Sequence, residues 1–187
     1  MKVLICPDKF KESLGAGDVA LHIRKGILKV IPGAECRIMP MADGGEGTVK
    51  ALVEATGGRI ETAQVHDPLM RRITSFLGVS GDGKTAFIEM AAASGLALIR
   101  PEERNPLLTT TYGTGELIRY ALDKGCSELI LGIGGSATVD GGVGMAQALG
   151  MSFTDDTGWE VAPGGGALGG IYGIDTVNLD PRLRHSK

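Results

Sequence analysis

Apolar residues in this chain fall into short runs between glycine-rich polar turns, and the spacing inside the runs switches between strand and helix periods. Lys2 to Pro7 (KVLICP) predicts a strand. The stretch Ser13 to Asp18 leads into a helix, with Ser13 its candidate cap and Val19, Ile23, Ile27 and Val30 recurring at helical spacing. Ile31-Pro32-Gly33 stops that helix. Cys36 to Pro40 predicts a second strand, and Thr48 to Ala55 a second helix closed by Gly57-Gly58. Residues 1–58 therefore read β-α-β-α, the opening of a parallel α/β sheet.

The pattern then changes. Ile60 to His66, Arg72 to Val79 and Lys84 to Met90 predict three strands, with turns at Asp67-Pro68 and Ser80-Gly81-Asp82-Gly83. Their antiparallel character places a domain boundary near residue 58, with 59–187 forming a second, mixed α/β unit. Ala91 to Leu96 reads as a turn, and Gly113 to Lys124 as an amphipathic helix with Leu117, Ile118, Ala121 and Leu122 on one face. Glu128 to Ile133 predicts a strand covered on both faces. A short helix is expected near Val143 to Leu149. From Gly158 to Gly173 the chain is loop-rich, and the last residues show no closing element.

Composition narrows the function classes. The 187 residues include 30 glycines without period, 43% apolar and 22% charged side chains, which is globular usage. A net charge of −3 with no basic run argues against nucleic-acid and membrane-surface binding. No segment is long and apolar enough to span a bilayer. Cys6, Cys36 and Cys126 are odd in number and far apart, as expected of reduced thiols in a cytoplasmic protein. His22, His66 and His185 are scattered, which disfavours a histidine metal site.

Candidate chemistry sits in five loops. Pro7-Asp8-Lys9-Phe10-Lys11-Glu12-Ser13 follows the first strand, where open α/β sheets bind ligands. Its lysines and Ser13 suit a carboxylate or phosphate and Asp8 suits a hydroxyl, although a solvated loop reads equally well. Ala42-Asp43-Gly44-Gly45-Glu46-Gly47 follows the second strand; Asp43 is a candidate base or magnesium ligand, against a plain helix-starting turn. Gly78 to Thr85 matches the nucleotide-binding pattern G-x-x-x-x-G-K-[ST], but strand-like residues follow it and Asp82-Gly83 favours a hairpin. Thr109 to Glu116 offers hydroxyls and free N–H groups at a helix start. Gly132 to Gly144 holds six glycines with Ser136, Thr138 and Asp140 between them, a loop able to bring bare N–H groups to an anion. No nucleophile elbow surrounds Ser136.

Five stretches together carry a resemblance: PDKFKESL (7–14), ADGGEGT (42–48), GDGKTAFIEMAAASGL (81–96), TTYGTGEL (110–117) and GIGGSATVDGGVGMAQALG (132–150). In this order they resemble the bacterial glycerate kinase family. The resemblance implies transfer of the γ-phosphate of ATP, with magnesium, to a hydroxyl of D-glycerate; the members most similar to this sequence look like producers of 2-phosphoglycerate. It also implies a Rossmann-like first domain, of which 1–58 is one half, and a second domain inserted after it. Carried onto this sequence, the catalytic candidates are Asp43, Lys9 and Asp8, with Asp43 also the metal candidate. Lys11, Ser13, Gly44, Gly45, Glu46, Thr111, Gly113 and Thr114 join them as substrate or phosphate contacts. Gly134, Gly135, Ser136, Thr138, Asp140 and Gly141 complete that set. The family's later Gly-Pro-Gln-Lys-Gly and Gly-Glu-Gly-Arg stretches are missing, so the chain is expected to be a truncated kinase whose two domains are both incomplete. A homodimer would cover part of the exposed sheet edges. The rival readings are a non-catalytic sugar-acid-binding module and a P-loop NTPase acting through Lys84.

Overall fold

A computed structural model describes residues 1–8, 10 and 13–187. Its elements are β1 (Lys2–Ile5), α1 (Ala16–Val30), β2 (Glu35–Ile38), α2 (Thr48–Thr56), β3 (Arg59–His66), β4 (Arg72–Val79), β5 (Thr85–Glu89), α3 (Ala91–Ser94), α4 (Tyr112–Asp123), β6 (Glu128–Gly132), α5 (Val143–Ala148), β7 (Ser152–Thr154) and β8 (Gly173–Asp175). The fold is α/β: a parallel pair β1–β2, a four-stranded mixed sheet in the order β3-β4-β5-β6, and a small antiparallel pair β7–β8.

β1 and β2 pair in parallel with Val3 opposite Cys36. α1 buries Val19 and Ala20, but Ile23 and Val30 of the expected apolar stripe are exposed, at 40% and 81%. Length explains the difference. A helix of 15 residues runs about 22 Å, whereas a four-residue strand spans about 13 Å, so much of the stripe has no sheet beneath it. Ser13 does not cap this helix: its N-cap is Gly15, with no side-chain bond.

The mixed sheet holds the core. Alternation along the strands sends Ala63, Val65, Leu77, Val79, Ala86 and Ile88 to one face, where Leu117, Ile118, Ala121 and Leu122 of α4 cover them. Each fully buried aliphatic side chain there contributes roughly 1.5–3 kcal/mol. The opposite face carries α2, which packs on β3, β4 and β5. Gly78 makes this approach possible, because a Cβ there would collide with Val53 and lie 3.0 Å from Val49.

One local expectation holds and two change. The turn at 80–83 joins antiparallel β4 to β5, and Ser80 N–H bonds Thr85 O at 2.9 Å. Lys84 N–H is taken by Asp82 Oδ1 at 3.1 Å. A strand follows where a P-loop needs a helix, so the P-loop reading fails. β6 is an edge strand, with Ile130 48% exposed, and is not covered on both faces. The last residues do close on the sheet: Leu129 N–H bonds Lys187 O and Lys187 N–H bonds Ser127 O, each at 3.0 Å. The glycine-rich 158–173 stretch includes a 3-10 turn over Gly165–Gly170 and leads into β8.

A polar brace ties the β3–β4 turn to the segment before α4. Arg71 bonds buried Asp67 at 2.6 Å and Glu103 at 3.0 Å, and Arg100 also holds Glu103. The Arg100 side chain keeps the Glu103 carboxyl down at about 2. A lowered folded-state pKa stabilises above the unfolded value, and that stabilisation is lost as pH falls towards 2. Glu103→Gln should therefore lower the melting temperature at pH 7 and have a smaller effect near pH 2.5, as read by thermal unfolding at both pH values. Gly78→Ala should destabilise by about 1–3 kcal/mol through overpacking, measured as a lower urea midpoint.

Candidate active site

The carboxyl ends of β2 and β6 each run into a polar loop and that of β5 into Met90 and α3, and backbone contacts gather these segments together. Gly134 N–H donates to Gly44 O at 3.0 Å. A Cβ on Gly132 would strike the Gly44 carbonyl, and one on Gly134 would sit 2.8 Å from Gly45 Cα. The loop of Asp43 therefore lies directly on the loop after β6, with no room for side chains between them. Met90 N–H, just past β5, bonds Gly132 O at 2.8 Å. Met41 N–H bonds Pro7 O at 2.9 Å, which keeps the segment after β1 beside the same loop.

Within the Asp43 loop, Asp43 Oδ1 accepts Gly45 N–H at 2.9 Å. Thr48 Oγ1 accepts Gly44 N–H at 3.1 Å and donates to Gly45 O at 2.7 Å. These local bonds compete with regular structure and shape the turn. Gly44 and Gly47 have φ of 86° and 94°, in the left-handed region that favours glycine.

Asp140 anchors the other side. It is 1% exposed and accepts from Thr111 N–H (2.8 Å), Thr111 Oγ1 (2.9 Å), Thr110 Oγ1 (3.2 Å), Gly142 N–H (3.2 Å) and Gly144 N–H (3.2 Å). Thr111 Oγ1 in turn accepts Met145 N–H at 2.9 Å. Thr114 Oγ1 pairs with Ser94 Oγ at 2.7 Å, both fully buried. Thr109 Oγ1 donates to Ala137 O at 2.7 Å. Thr111, Thr114 and Asp140 thus stitch the start of α4 to the 134–144 loop and to α3 from inside. Gly113 serves the same packing, since a Cβ there would meet the His66 carbonyl.

The solvent-facing rim consists of other residues. Asp8, Ser13, Asp43, Glu46, Gly135 and Gly141 are exposed, Gly44, Gly134, Ser136 and Thr138 are half-buried, and Gly45 is buried. Ser136 Oγ and Thr138 Oγ1 bond each other at 2.8 Å, and Ser136 Oγ accepts Thr138 N–H at 3.1 Å. Lys9 and Lys11 lie outside the described residues. A groove of about 430 Å³ opens beside the Asp43 loop, lined by Glu46, Gly47, Lys50, Ile60, Phe76 and Glu89. Among the described residues no group of three or more His, Cys, Asp or Glu side chains is placed to hold a metal. A magnesium ion takes one or two carboxylates and completes its shell with phosphate and water. Asp43 fits it only in that sparse manner.

Across residues 3–187 the chain matches the model of the glycerate kinase family. The chain belongs to the glycerate kinase family. It is 57% identical over 187 residues to a glycerate kinase of Bacillus subtilis and 59% identical over 184 residues to one of Haemophilus influenzae. It is 54% identical over 184 residues to a glycerate 2-kinase of Escherichia coli. These alignments cover 98–100% of this chain and 48–49% of the relatives. The chain thus spans about half the length of the curated relatives it matches. A crystal structure assigned as glycerate kinase 2 from Salmonella typhimurium LT2 superposes with a TM-score of 0.87 at 53% identity, over 100% of this chain and 50% of that one.

Sequence reasoning missed Glu89 and Ser94, each of which joins segments of the site, whereas Thr109 lay in one of its candidate loops. For Glu89 a signal existed: an acid ending the apolar run Ala86-Phe87-Ile88. Asp140 presents acceptors to donors alone, so Asp140→Asn turns an NH2 group against N–H or O–H groups. That change should destabilise the chain by about 2–3 kcal/mol, measured as a lower urea midpoint with an unchanged slope.

Proposed function

We propose that this chain supplies the phosphate- and substrate-handling loops of an ATP-dependent kinase that phosphorylates a hydroxyl of D-glycerate, the 2-hydroxyl by likeness to the Escherichia coli relative. The observation that carries this reading is the stacking of the Asp43 loop on the 132–135 glycine loop at the carboxyl ends of β2 and β6, where α/β sheets bind ligands. Phosphoryl transfer asks a protein chiefly for positioning and charge neutralisation. In this reading Asp43 takes the proton of the attacking hydroxyl or holds magnesium, and Asp8 orients the acceptor. Lys9 and Lys11 neutralise phosphate or the glycerate carboxylate, and Ser13 helps to hold it with its hydroxyl. The N–H groups of Gly135 and Gly141 with Ser136 and Thr138 cradle an anion, Gly44, Gly45 and Gly134 line it with their own N–H groups bonded inside the loops, and Glu46 closes the rim. Thr111, Gly113, Thr114 and Asp140 hold that cradle in place. Magnesium would screen phosphate charge.

The family relationship supports an ATP-using kinase with a small-molecule substrate. No helix among the described residues is long and apolar enough to cross a membrane, and we assign the protein to the cytoplasm. Residues 1–58 and 59–187 are proposed to belong to two domains of the longer protein, and a homodimer is proposed to cover the open strand edges.

In a protein of full family length carrying this sequence, Asp43→Asn should lower glycerate-dependent ADP release at least 100-fold, about 2.7 kcal/mol of barrier. A coupled assay with D-glycerate omitted as blank reads this; unchanged release removes Asp43 from the reaction, and binding of glycerate without ADP release favours the non-catalytic module. Lys84→Ala should leave nucleotide affinity unaltered, because Lys84 belongs to the β4–β5 turn; a tenfold loss by calorimetric titration would revive nucleotide binding there.

A further inference from the structure

α2 begins without the usual cap. Its N-cap is Gly47, in the left-handed region with no side-chain bond, and its first turn has no acidic residue. A helix start leaves N–H groups unpaired and concentrates positive potential. Glu89 meets both demands from 40 residues away. It ends β5, is 2% exposed, and its Oε1 accepts the N–H of Val49, the second residue of α2, at 2.8 Å. N2 is one of the two N–H positions that an ordinary N-cap side chain satisfies.

The neighbour of Glu89 reaches the other loop. Met90 N–H bonds Gly132 O, and Gly134 N–H bonds Gly44 O. A closed circuit results, running from Glu89 to Val49, back through Thr48 and Gly45 to Gly44, across to Gly134 and Gly132, and home through Met90. We infer that Glu89 is a positioning residue that sets the Asp43 loop at one height above the glycine loop by capping α2 from the end of β5. Loss of the carboxylate frees the start of α2, and the Asp43 loop with it, while the sheet beneath persists. The consequence for turnover rests on the kinase reading; the way the loop is held does not.

Amide hydrogen exchange on the 187-residue chain separates the two. Glu89→Ala should raise exchange at least tenfold in amides 44–49 and at Gly134, leaving the β3–β4 hairpin amides within twofold of the unaltered chain. Glu89→Gln keeps an acceptor oxygen and should recover most of that protection; if Glu89→Ala does not fold, Glu89→Gln carries the test, with an expected rise of at least threefold confined to 44–49. Unchanged exchange at 44–49, or an equal rise in the hairpin, overturns the proposal. In the full-length kinase, Glu89→Ala should lower kcat at least tenfold with KM within threefold and Glu89→Gln should recover most of kcat, a pattern that simple loss of folded protein does not produce when active sites are titrated. Local exchange changes in a protein that releases no glycerate-dependent ADP would sink the kinase reading and leave the positioning role standing.

Discussion

Everything at the candidate site depends on the close contact of two backbones. Gly44 and Gly45 lie against Gly132 and Gly134 at distances that exclude a Cβ, and one hydrogen bond from Gly134 N–H to Gly44 O fixes the pairing. Any side chain at Gly132 would push the Asp43 loop off the end of the mixed sheet. Glycine composition in this chain therefore reflects steric necessity at a loop junction more than flexibility. With the Glu89–Val49 bond and the packing of α2, this contact ties the segment after β2 to the mixed sheet.

Around that junction the polar groups divide their labour. Buried hydroxyls and carboxylates, Thr109, Thr110, Thr111, Thr114, Asp140 and Glu89, spend their bonds inside the protein, where an unsatisfied partner costs most. On the rim, Asp43, Ser136 and Thr138 are held by short local bonds and Glu46 is exposed. A preorganised inner ring behind an adaptable rim suits phosphoryl transfer, where position and charge matter more than covalent chemistry.

The first β-α-β-α segment shows the opposite economy. α1 offers more apolar surface than its two strands can bury, and Leu21, Ile23, Val30 and Leu4 are exposed. The periodicity of the helix was legible because Val19, Ile23, Ile27 and Val30 repeat at helical spacing. What they pack against was not, because a stripe states that burial is favourable without supplying the surface. Ile130 in β6 repeats the lesson: an apolar run looks alike at the centre of a sheet and at its edge.

Most element types followed from local chemistry: β4 runs over the residues its alternation predicts, and the Asp82-Gly83 turn overrides the P-loop pattern, although the turn expected at Ala91 to Leu96 starts as helix α3. The five loops were also visible, since glycine and hydroxyl residues gathered after apolar runs have few other uses. Which of their residues face solvent was decided only in three dimensions. Thr111, Thr114 and Asp140 look in sequence like ligand groups equal to Ser136 and Thr138, yet the first three are enclosed and the last two are not. Glu89 is joined to Val49 across 40 positions of chain. Local propensity acts over a few residues, so the sequence by itself could determine strands, helices and turns. Hydrogen bonds between distant segments exist only once the sheet has brought their ends together, and those bonds decided the site.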